Sequence, residues 1–401
     1  MKDLIIIKEG KARLKVPNPS KYLRMDGVYE PAWAPVFYNP QMILNRDLSV
    51  IALATIIKHV FSSRETVVLD ALAGTGVRAI RYCIEVPDTT LCMANDVDPR
   101  AAELIKENAA INNIQNKVKV FCEDANILMY KLKREKCKVD FIDIDPFGSP
   151  APYVRASLWC VRSGGVVTYT ATDTAPLSGS RWWAGTRRYD ANIVKTDIGH
   201  EVGLRVLLGY IARRAAEIDK YVIPLLTYYD RYYYRVYVQV IKSAKRAYDM
   251  VKRNIGYLEY CPNCCYRNLV NEIERVSCPN CGVKLHLIGP LWVNSTSSKE
   301  FISHTLECVR GYEYEYLQSI EDIRKLLEKL LPEIEAPLVY NIVRISQKLK
   351  VNIPKREEII KCLRELGFKA VAAHFQGNYV RTNASIEEVT YCLRSLTSSR
   401  S

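Results

Sequence analysis

Val139-Asp-Phe-Ile-Asp-Ile-Asp-Pro-Phe-Gly-Ser-Pro150 alternates apolar and acidic residues in its first half, as a strand does. Pro146, Gly148 and Pro150 then stop that strand abruptly. Asp145 is left at its carboxyl end, followed by the ring of Phe147. In an open α/β sheet that edge is where ligands bind. An acid followed by proline and an aromatic suits chemistry on an exocyclic amine. The acid accepts a hydrogen bond from the amine, the proline stiffens the turn, and the ring stacks on a flat base. An ordinary strand-to-loop corner with a solvated aspartate fits the same residues.

Working outward, residues 66–145 alternate strand and helix. Thr66–Asp70 reads as a strand, Ala71-Leu-Ala-Gly-Thr-Gly76 as a small-residue turn, and Val77–Val86 as a helix. A second strand, Thr90–Ala94, ends in Asn95-Asp96. Asp98 and Pro99 then open a helix to Asn112 as N-cap and first helical residue. Val118–Cys122 is a third strand, ending at Glu123-Asp124, and Val139–Ile144 a fourth. Such alternation predicts a parallel, doubly wound sheet. Gly165–Thr170 adds a fifth strand and residues 198–219 a helix. Val222–Tyr229 and Tyr232–Ile241 form a hairpin hinged at Asp230-Arg231. A terminal hairpin on a parallel sheet is typical of the methyltransferase version of this Rossmann-like fold, and the first domain ends near Ser243.

The Gly-x-Gly turn lets backbone approach a ligand closely at a helix N-terminus. Asp96, 26 residues after Asp70, is placed to take both ribose hydroxyls of an adenosine, and Asp124 to hold an adenine amino group. Nicotinamide and S-adenosylmethionine enzymes share that geometry. The third glycine of a nicotinamide fingerprint falls on Ala79, which favours the methyl donor. Phe37 and Tyr38 lie between prolines, as a hydrophobic plug or as a lid over a ligand. Residues 179–197 read as a loop in which Arg181, Arg187 and Arg188 interleave with Trp182, Trp183 and Tyr189. That mixture suits a nucleic-acid strand, or a solvated loop with a tryptophan anchor.

Taken in order, Phe37-Tyr-Asn-Pro40, Asn45-Arg-Asp47, Leu69-Asp-Ala-Leu-Ala-Gly-Thr-Gly-Val-Arg78, Asn95-Asp96, Asp143–Pro150, Ala171-Thr-Asp-Thr-Ala-Pro176 and His200-Glu-Val-Gly203 resemble the tRNA (guanine-26-N2)-dimethyltransferase family, archaeal type. The resemblance covers the first domain, residues 1–243. It implies a class I S-adenosylmethionine-dependent methyltransferase fold that methylates the exocyclic N2 of guanine 26 in tRNA once or twice. It also implies that Arg46, Arg78, Asp96, Asp124 and Ala125 line the donor site. Asp145 and Phe147 would hold the guanine, with Phe37 covering it. The chain departs from the family at Ala73-Gly74, where many members carry Ser-Ala.

The second half, residues 244–401, opens with a basic helix over Ala244–Tyr257. Cys261-Pro-Asn-Cys264 and Cys278-Pro-Asn-Cys281 follow, two identical knuckles 13 residues apart. Four thiolates so spaced make a tetrahedral site that suits structural zinc; a redox dithiol pair or rubredoxin-like iron uses the same spacing. Cys265 competes with Cys264 as a ligand. One long helix is expected from Glu300 to Leu331, then helices Leu338–Leu349 and Lys355–Leu366. Strands Phe368–Phe375 and Tyr379–Thr382 and a last helix from Ser385 complete a winged-helix-like end, a shape used to grip nucleic acid. Lys348, Lys350, Lys355, Arg356 and Arg381 are its candidate RNA contacts, and His374 reads as packed rather than catalytic.

Composition agrees with these elements. The 401 residues are 48% hydrophobic, too apolar for a disordered chain. No apolar run is long enough to span a bilayer, and the N-terminal stretch from Met1 lacks the features of a signal peptide. The expectation is a cytoplasmic protein, monomeric, with tRNA as its partner. The net charge of +13, spread over both halves, suits a polyanion. Of 13 cysteines, nine lie outside the knuckles, and Cys83, Cys92, Cys160 and Cys362 are among those expected to pack as small hydrophobes. Two further readings stand beside the tRNA enzyme. One is a methyltransferase for another tRNA guanine or a DNA amine. The other is a non-catalytic zinc protein that binds RNA.

Overall fold

The computed structural model describes residues 3–61 and 65–398. Met1 and Lys2, the head of the N-terminal stretch considered above, lie outside them. The chain begins as a hairpin, β1 (Leu4–Glu9) and β2 (Ala12–Pro17), turned through Gly10 at φ +57°. The Glu85 carboxylate fills the space a side chain at Gly10 would need. Then comes α1 (Ile43–His59), buried on nearly every face, as a helix enclosed by protein must be.

From there strand and helix alternate as the sequence predicts: β3 (Thr66–Asp70), α2 (Val77–Glu85), β4 (Thr89–Asn95), α3 (Pro99–Ile111), β5 (Val118–Phe121), α4 (Ala125–Arg134), β6 (Val139–Ile144), α5 (Ala151–Cys160) and β7 (Val161–Ala171). Local chemistry sets the helix starts. Gly76, at φ +78°, caps α2; the Asp98 carboxylate accepts the Arg100 amide at the head of α3; Asp124 accepts the amides of Asn126 and Ile127 at the head of α4. Next come α6 (Thr174–Leu177), α7 (Trp182–Tyr189), α8 (Gly199–Ala216), β8 (Lys220–Asp230) and β9 (Tyr233–Lys242).

Seven strands form one sheet in the order β5-β4-β3-β6-β7-β9-β8. β3 runs parallel to β4 and β6, β4 to β5, and β6 to β7. The two-residue link from β8 to β9 makes that pair antiparallel. Counted from β3 the order is 3-2-1-4-5-7-6, a mixed Rossmann-like sheet that ends in the hairpin expected from the sequence. Its central strands bury Val68, Leu69, Cys92, Met93, Phe141, Ile142, Val166 and Val167, because helices cover both faces of a parallel sheet. Crossovers leave β3 in one direction and reach β6 in the other, so a crevice opens at the carboxyl ends of those two strands.

The remaining elements are α9 (Ala244–Asn254), β10 (Ile255–Tyr260), β11 (Arg267–Val270), β12 (His286–Trp292), α10 (Lys299–Arg310), α11 (Ile320–Glu333), β13 (Leu338–Asn341), α12 (Ile342–Leu349), α13 (Arg356–Glu365), β14 (Ala370–Ala372), β15 (Tyr379–Thr382) and α14 (Ile386–Ser398). They add two small sheets, ordered β11-β10-β12 and β13-β15-β14. By contact the chain divides into two compact units. One holds residues 1–169, 238–241 and 303–325, and the other residues 170–237, 242–302 and 326–401. Within the second, Tyr340, Ile345, Ile359, Leu363, Val380, Val389 and Leu393 form a core. Beside it Glu201 accepts from Arg205 and Arg381, and Glu333 pairs with His374 and Arg381.

Five expectations are corrected. The helix over Glu300–Leu331 is two helices, because the first ends at Arg310 before Gly311. Residues 182–189 are helical, not loop. Leu338–Asn341 is a strand paired with β15, and only Ile342 onward is helix. The strand over Phe368–Phe375 is reduced to Ala370–Ala372. Cys362 does not pack as a free thiol: α13 and α14 bring it within 5.9 Å (Cα–Cα) of Cys392, and the two form a disulfide. Cys83, Cys92 and Cys160 are buried and unbridged as expected. Among the described residues no helix is long and apolar enough to cross a membrane.

Candidate active site

Three carboxylates gather at the carboxyl ends of β3 and β6. Asp70 and Asp143 are register partners on adjacent strands, and Asp145 follows two residues on. Arg78, in the first turn of α2, reaches back to them. Its Nε and Nη2 both donate to Asp145 Oδ2, at 2.9 and 2.5 Å, and its Nη1 lies 3.7 Å from Asp143 Oδ2. From α1, Asn45 Oδ1 and Ser49 Oγ accept its remaining donors. Tyr82 donates its hydroxyl to Asp143 Oδ2 at 2.6 Å. Asp145 Oδ1 has no hydrogen-bond partner among the described residues. Asp70 is buried, and neither of its oxygens has a hydrogen-bond partner among the described residues. Burial, and then the Asp143 charge, push its carboxyl up to about 8.

The glycine turn lies alongside. Gly74 sits at φ +53°, and the Phe37 carbonyl stands 2.9 Å from where its Cβ would be. Its amide donates to Asp96 Oδ2 at 2.9 Å, while Asp96 Oδ1 accepts the Asp98 amide. The Asn95 side chain ties the turn after β3 to the turn after β5, donating to the Ala71 and Glu123 carbonyls. Asp124 uses one oxygen to cap α4, and Ala125 is buried as that helix's first residue. Asp96, Asp124, Ala125, Asp145 and Phe147 thus stand at the ends of three strands of one sheet, as the sequence predicts.

Phe37 and Tyr38, read together from the sequence as a plug or a lid, differ in burial. Tyr38 is the plug, buried with its hydroxyl on Glu9 Oε2 at 2.9 Å. Phe37 is 43% exposed and Phe147 77% exposed. Their rings meet edge to face, with centroids 5.9 Å apart and planes at 80°. Two exposed aromatic faces therefore stand together, Phe147 two residues beyond Asp145.

Arg46 is placed differently from a free cation. Its Nε and Nη2 form a fork on Glu9, each at 2.6 Å, and its Nη1 donates to the Asn39 carbonyl. Arg81 adds a bond to Glu9 at 2.9 Å, and pairs with Asp47 and Glu85. Burial pushes the Glu9 carboxyl up, but Arg46 and Arg81 hold it down to about 2. Sequence reasoning missed Glu9, Asn45, Tyr82, Asp143 and Asp70. Asp70 and Asp143 lay inside the quoted motifs, whereas nothing in the N-terminal hairpin marked Glu9.

The two knuckles also come together. The Sγ atoms of Cys261, Cys264, Cys278 and Cys281 all lie within 4.8 Å of one another. Both turns are alike: the Cys265 amide donates to the Cys261 carbonyl, and the Gly282 amide to that of Cys278. Cys265 is not a competitor, since at φ +63° it turns away into the core around Tyr340. Lys348 donates to the carbonyls of Pro262 and Asn263 and so braces the first knuckle. Arg381 is lost as an RNA contact, because it is buried between Glu201 and Glu333. His374 is packed as expected: the Tyr229 amide donates to its Nε2, and its Nδ1 faces Glu333.

Known proteins are similar to this chain in sequence and in fold. Residues 10–394 match the family model for N2,N2-dimethylguanosine tRNA methyltransferases. The tRNA (guanine(26)-N(2))-dimethyltransferase of Saccharolobus solfataricus is 40% identical over 392 residues, 97% of this chain and 98% of that protein. The Aeropyrum pernix enzyme of the same name is 40% identical over 404 residues, with 99% and 98% covered. A solved structure, Trm1 from Pyrococcus horikoshii with S-adenosyl-L-methionine, superposes with a TM-score of 0.83 at 31% identity. It covers 97% of this chain and all of its own.

Proposed function

The chain belongs to the N2,N2-dimethylguanosine tRNA methyltransferase family, and from that premise we propose that it transfers methyl groups from S-adenosylmethionine to the exocyclic N2 of guanine 26 in tRNA. The products are N2-methylguanosine and then N2,N2-dimethylguanosine. The observation that carries the reading is Asp145, fixed by Arg78 through one oxygen with the other unpartnered, beside the exposed rings of Phe37 and Phe147.

The donor fits the residues present. Gly74 and Gly76, both at positive φ, shape the turn that leads from β3 into α2, and at the end of β3 the Asp70 carboxyl has no hydrogen-bond partner among the described residues. Asp96 is the proposed holder of the ribose hydroxyls. Asp124 and Ala125 hold the adenine edge, and Arg46 and Arg78 complete the lining. When bound, the donor supplies a methyl group made electrophilic by its sulfonium.

The chain's own residues do the rest. The lone pair of guanine N2 is conjugated into the ring, so the amine must be oriented before it attacks. Asp145 Oδ1 accepts an N2–H bond and receives the proton as the C–N bond forms. Holding both reactants in line contributes of order 7–11 kcal/mol in favourable cases. Because N2 lies within a paired or stacked nucleotide, the guanine is flipped outward and held between Phe37 and Phe147.

The division of labour proposed is catalysis by residues 1–243 and tRNA gripping by residues 244–401. The order β13-α12-α13-β14-β15 after α11 supports a winged-helix relationship for the end of the chain. The four knuckle thiolates are the proposed ligands of a structural zinc; elemental analysis finding no metal per folded chain overturns that. The protein's place is the cytoplasm, and light scattering tests the expected monomer.

The test of the reaction uses unmodified tRNA transcripts and isotopically labelled S-adenosylmethionine, with nucleoside mass spectrometry of the product. Methylated N2-guanosines that vanish from a transcript with adenine at position 26 are expected. Label that persists in that transcript discards the site; no label at all discards the reaction.

A further inference from the structure

Two tryptophans stand in solvent without a part in the chemistry above. Trp182 is 54% exposed and Trp183 58%, in the first turn of α7. Their rings meet edge to face, with centroids 5.9 Å apart and planes at 85°. The helix beneath them is firmly held. Gly185 lets it rest on the Pro176 carbonyl, 2.5 Å from where a Cβ would sit, and Ala184 and Tyr189 are buried. The Tyr189 hydroxyl and Arg188 donate to opposite oxygens of Asp173, at 2.8 and 3.0 Å. Arg213 caps the helix end, donating to the carbonyls of Tyr189 and Asp190. The rings therefore project from a pinned platform, not a loose loop.

Leaving two indoles in water forgoes the burial that drives folding, so the pair is better explained by a partner than by packing. Charge indicates which partner. From Arg181 to Tyr189 the chain carries three arginines and no carboxylate. Arg181 and Arg187 are exposed, and Arg187 lies one turn beyond Trp183 on the same helix face. The nearby acids are engaged, Asp173 by Arg188 and Asp190 by Arg213. Two perpendicular aromatic faces bordered by guanidinium groups match an unpaired nucleotide: the base stacks on indole, and its phosphates meet the arginines.

We propose that Trp182 and Trp183, with Arg181 and Arg187, form a stacking platform for an unpaired nucleotide of the tRNA substrate. The proposal rests on the tRNA reading above and names one of that substrate's contacts.

Binding of an unmodified tRNA transcript tests it, by fluorescence anisotropy on the full-length protein. The variants are Trp182→Ala, Trp183→Ala, the double alanine variant, Trp183→Phe and Arg187→Ala. Wild-type methylation and S-adenosylmethionine affinity are measured in parallel. Each alanine is expected to weaken tRNA binding about tenfold. Trp183→Phe retains most of the affinity, because phenylalanine still stacks. Arg187→Ala lowers the salt dependence by about one phosphate contact. Donor affinity stays at the wild-type value throughout. A double alanine variant that binds tRNA within twofold of a wild type that still methylates overturns the platform alone. A wild-type oligomer that the double variant dissolves, seen by sedimentation, overturns it in favour of a second copy on the rings. A wild type that neither binds nor methylates tRNA overturns both readings.

Discussion

Arg78 holds Asp145 by one oxygen only: Nε at 2.9 Å and Nη2 at 2.5 Å converge on Oδ2. The carboxylate is thus fixed in orientation, and Oδ1 is the oxygen proposed to meet the amine. Asp145→Asn removes the proton acceptor while keeping the shape. The rate of methyl transfer should fall by a factor of about 10² to 10⁴, with donor affinity near the wild-type value. Single-turnover methylation and calorimetry check the two halves of that statement. Arg78→Lys keeps the charge but loses the fork, so the same step should slow by about tenfold or more. Near-normal turnover by Asp145→Asn would remove this residue from the chemistry.

Glu9 carries the opposite kind of role, at the tip of the N-terminal hairpin. It accepts from Arg46, Arg81 and Tyr38 in a buried cluster. Glu9→Gln leaves two buried guanidinium groups short of an anion, which costs about 3–5 kcal/mol. The sign with pH follows from its depressed carboxyl, about 2 in the fold. Its stabilisation is complete above the ordinary glutamate range and declines progressively as pH falls from there through about 2. Denaturant melts at pH 7 and pH 3 should both show the wild type ahead of the variant.

Asp70 runs the other way. Its carboxyl, pushed up to about 8 by burial and by Asp143, binds a proton in the fold that the unfolded chain has already released. Its contribution to stability therefore declines as pH rises from about 4 through 8. Asp70→Asn should flatten that decline, so its melting temperature gains on the wild type at pH 8 and not at pH 5. Equal pH profiles for the two proteins would contradict the assignment.

Much of the site was legible because it sits at strand ends. Asp145 follows a strand of alternating apolar and acidic residues stopped by Pro146, and Asp96 follows a strand that gives way to the Asp98-Pro99 helix start, so both read as termini that the sheet places on one edge. The partners of those acids were not legible. Arg78 and Asp145 are 67 residues apart and Arg46 and Glu9 37 apart, and no local period links them. Helix α7 was hidden for a related reason. Its buried face is only Ala184, Gly185 and Tyr189, too little apolar surface to register as a helical stripe. The expected long helix stops at Arg310, and Gly311 opens a short 3-10 turn over Tyr312–Tyr314 before the next helix.

The Cys362–Cys392 disulfide closes a separation of 30 residues across α13 and α14. In the chain-entropy account a loop of that size stabilises by about 3–4 kcal/mol. Reductant, or Cys392→Ser, should lower the melting temperature of the protein while leaving donor binding unchanged. Identical melts with and without reductant would mean that the bridge adds nothing.

The unpartnered oxygen of Asp145 also sets an arithmetic limit on the proposed reaction. Guanine N2 begins with two hydrogens, and each round removes one while the carboxylate grips by one. After the first round a hydrogen remains, so the half-finished nucleotide can be turned and held again. After the second there is nothing left to grip. The same contact that admits the substrate thus counts to two and then lets go.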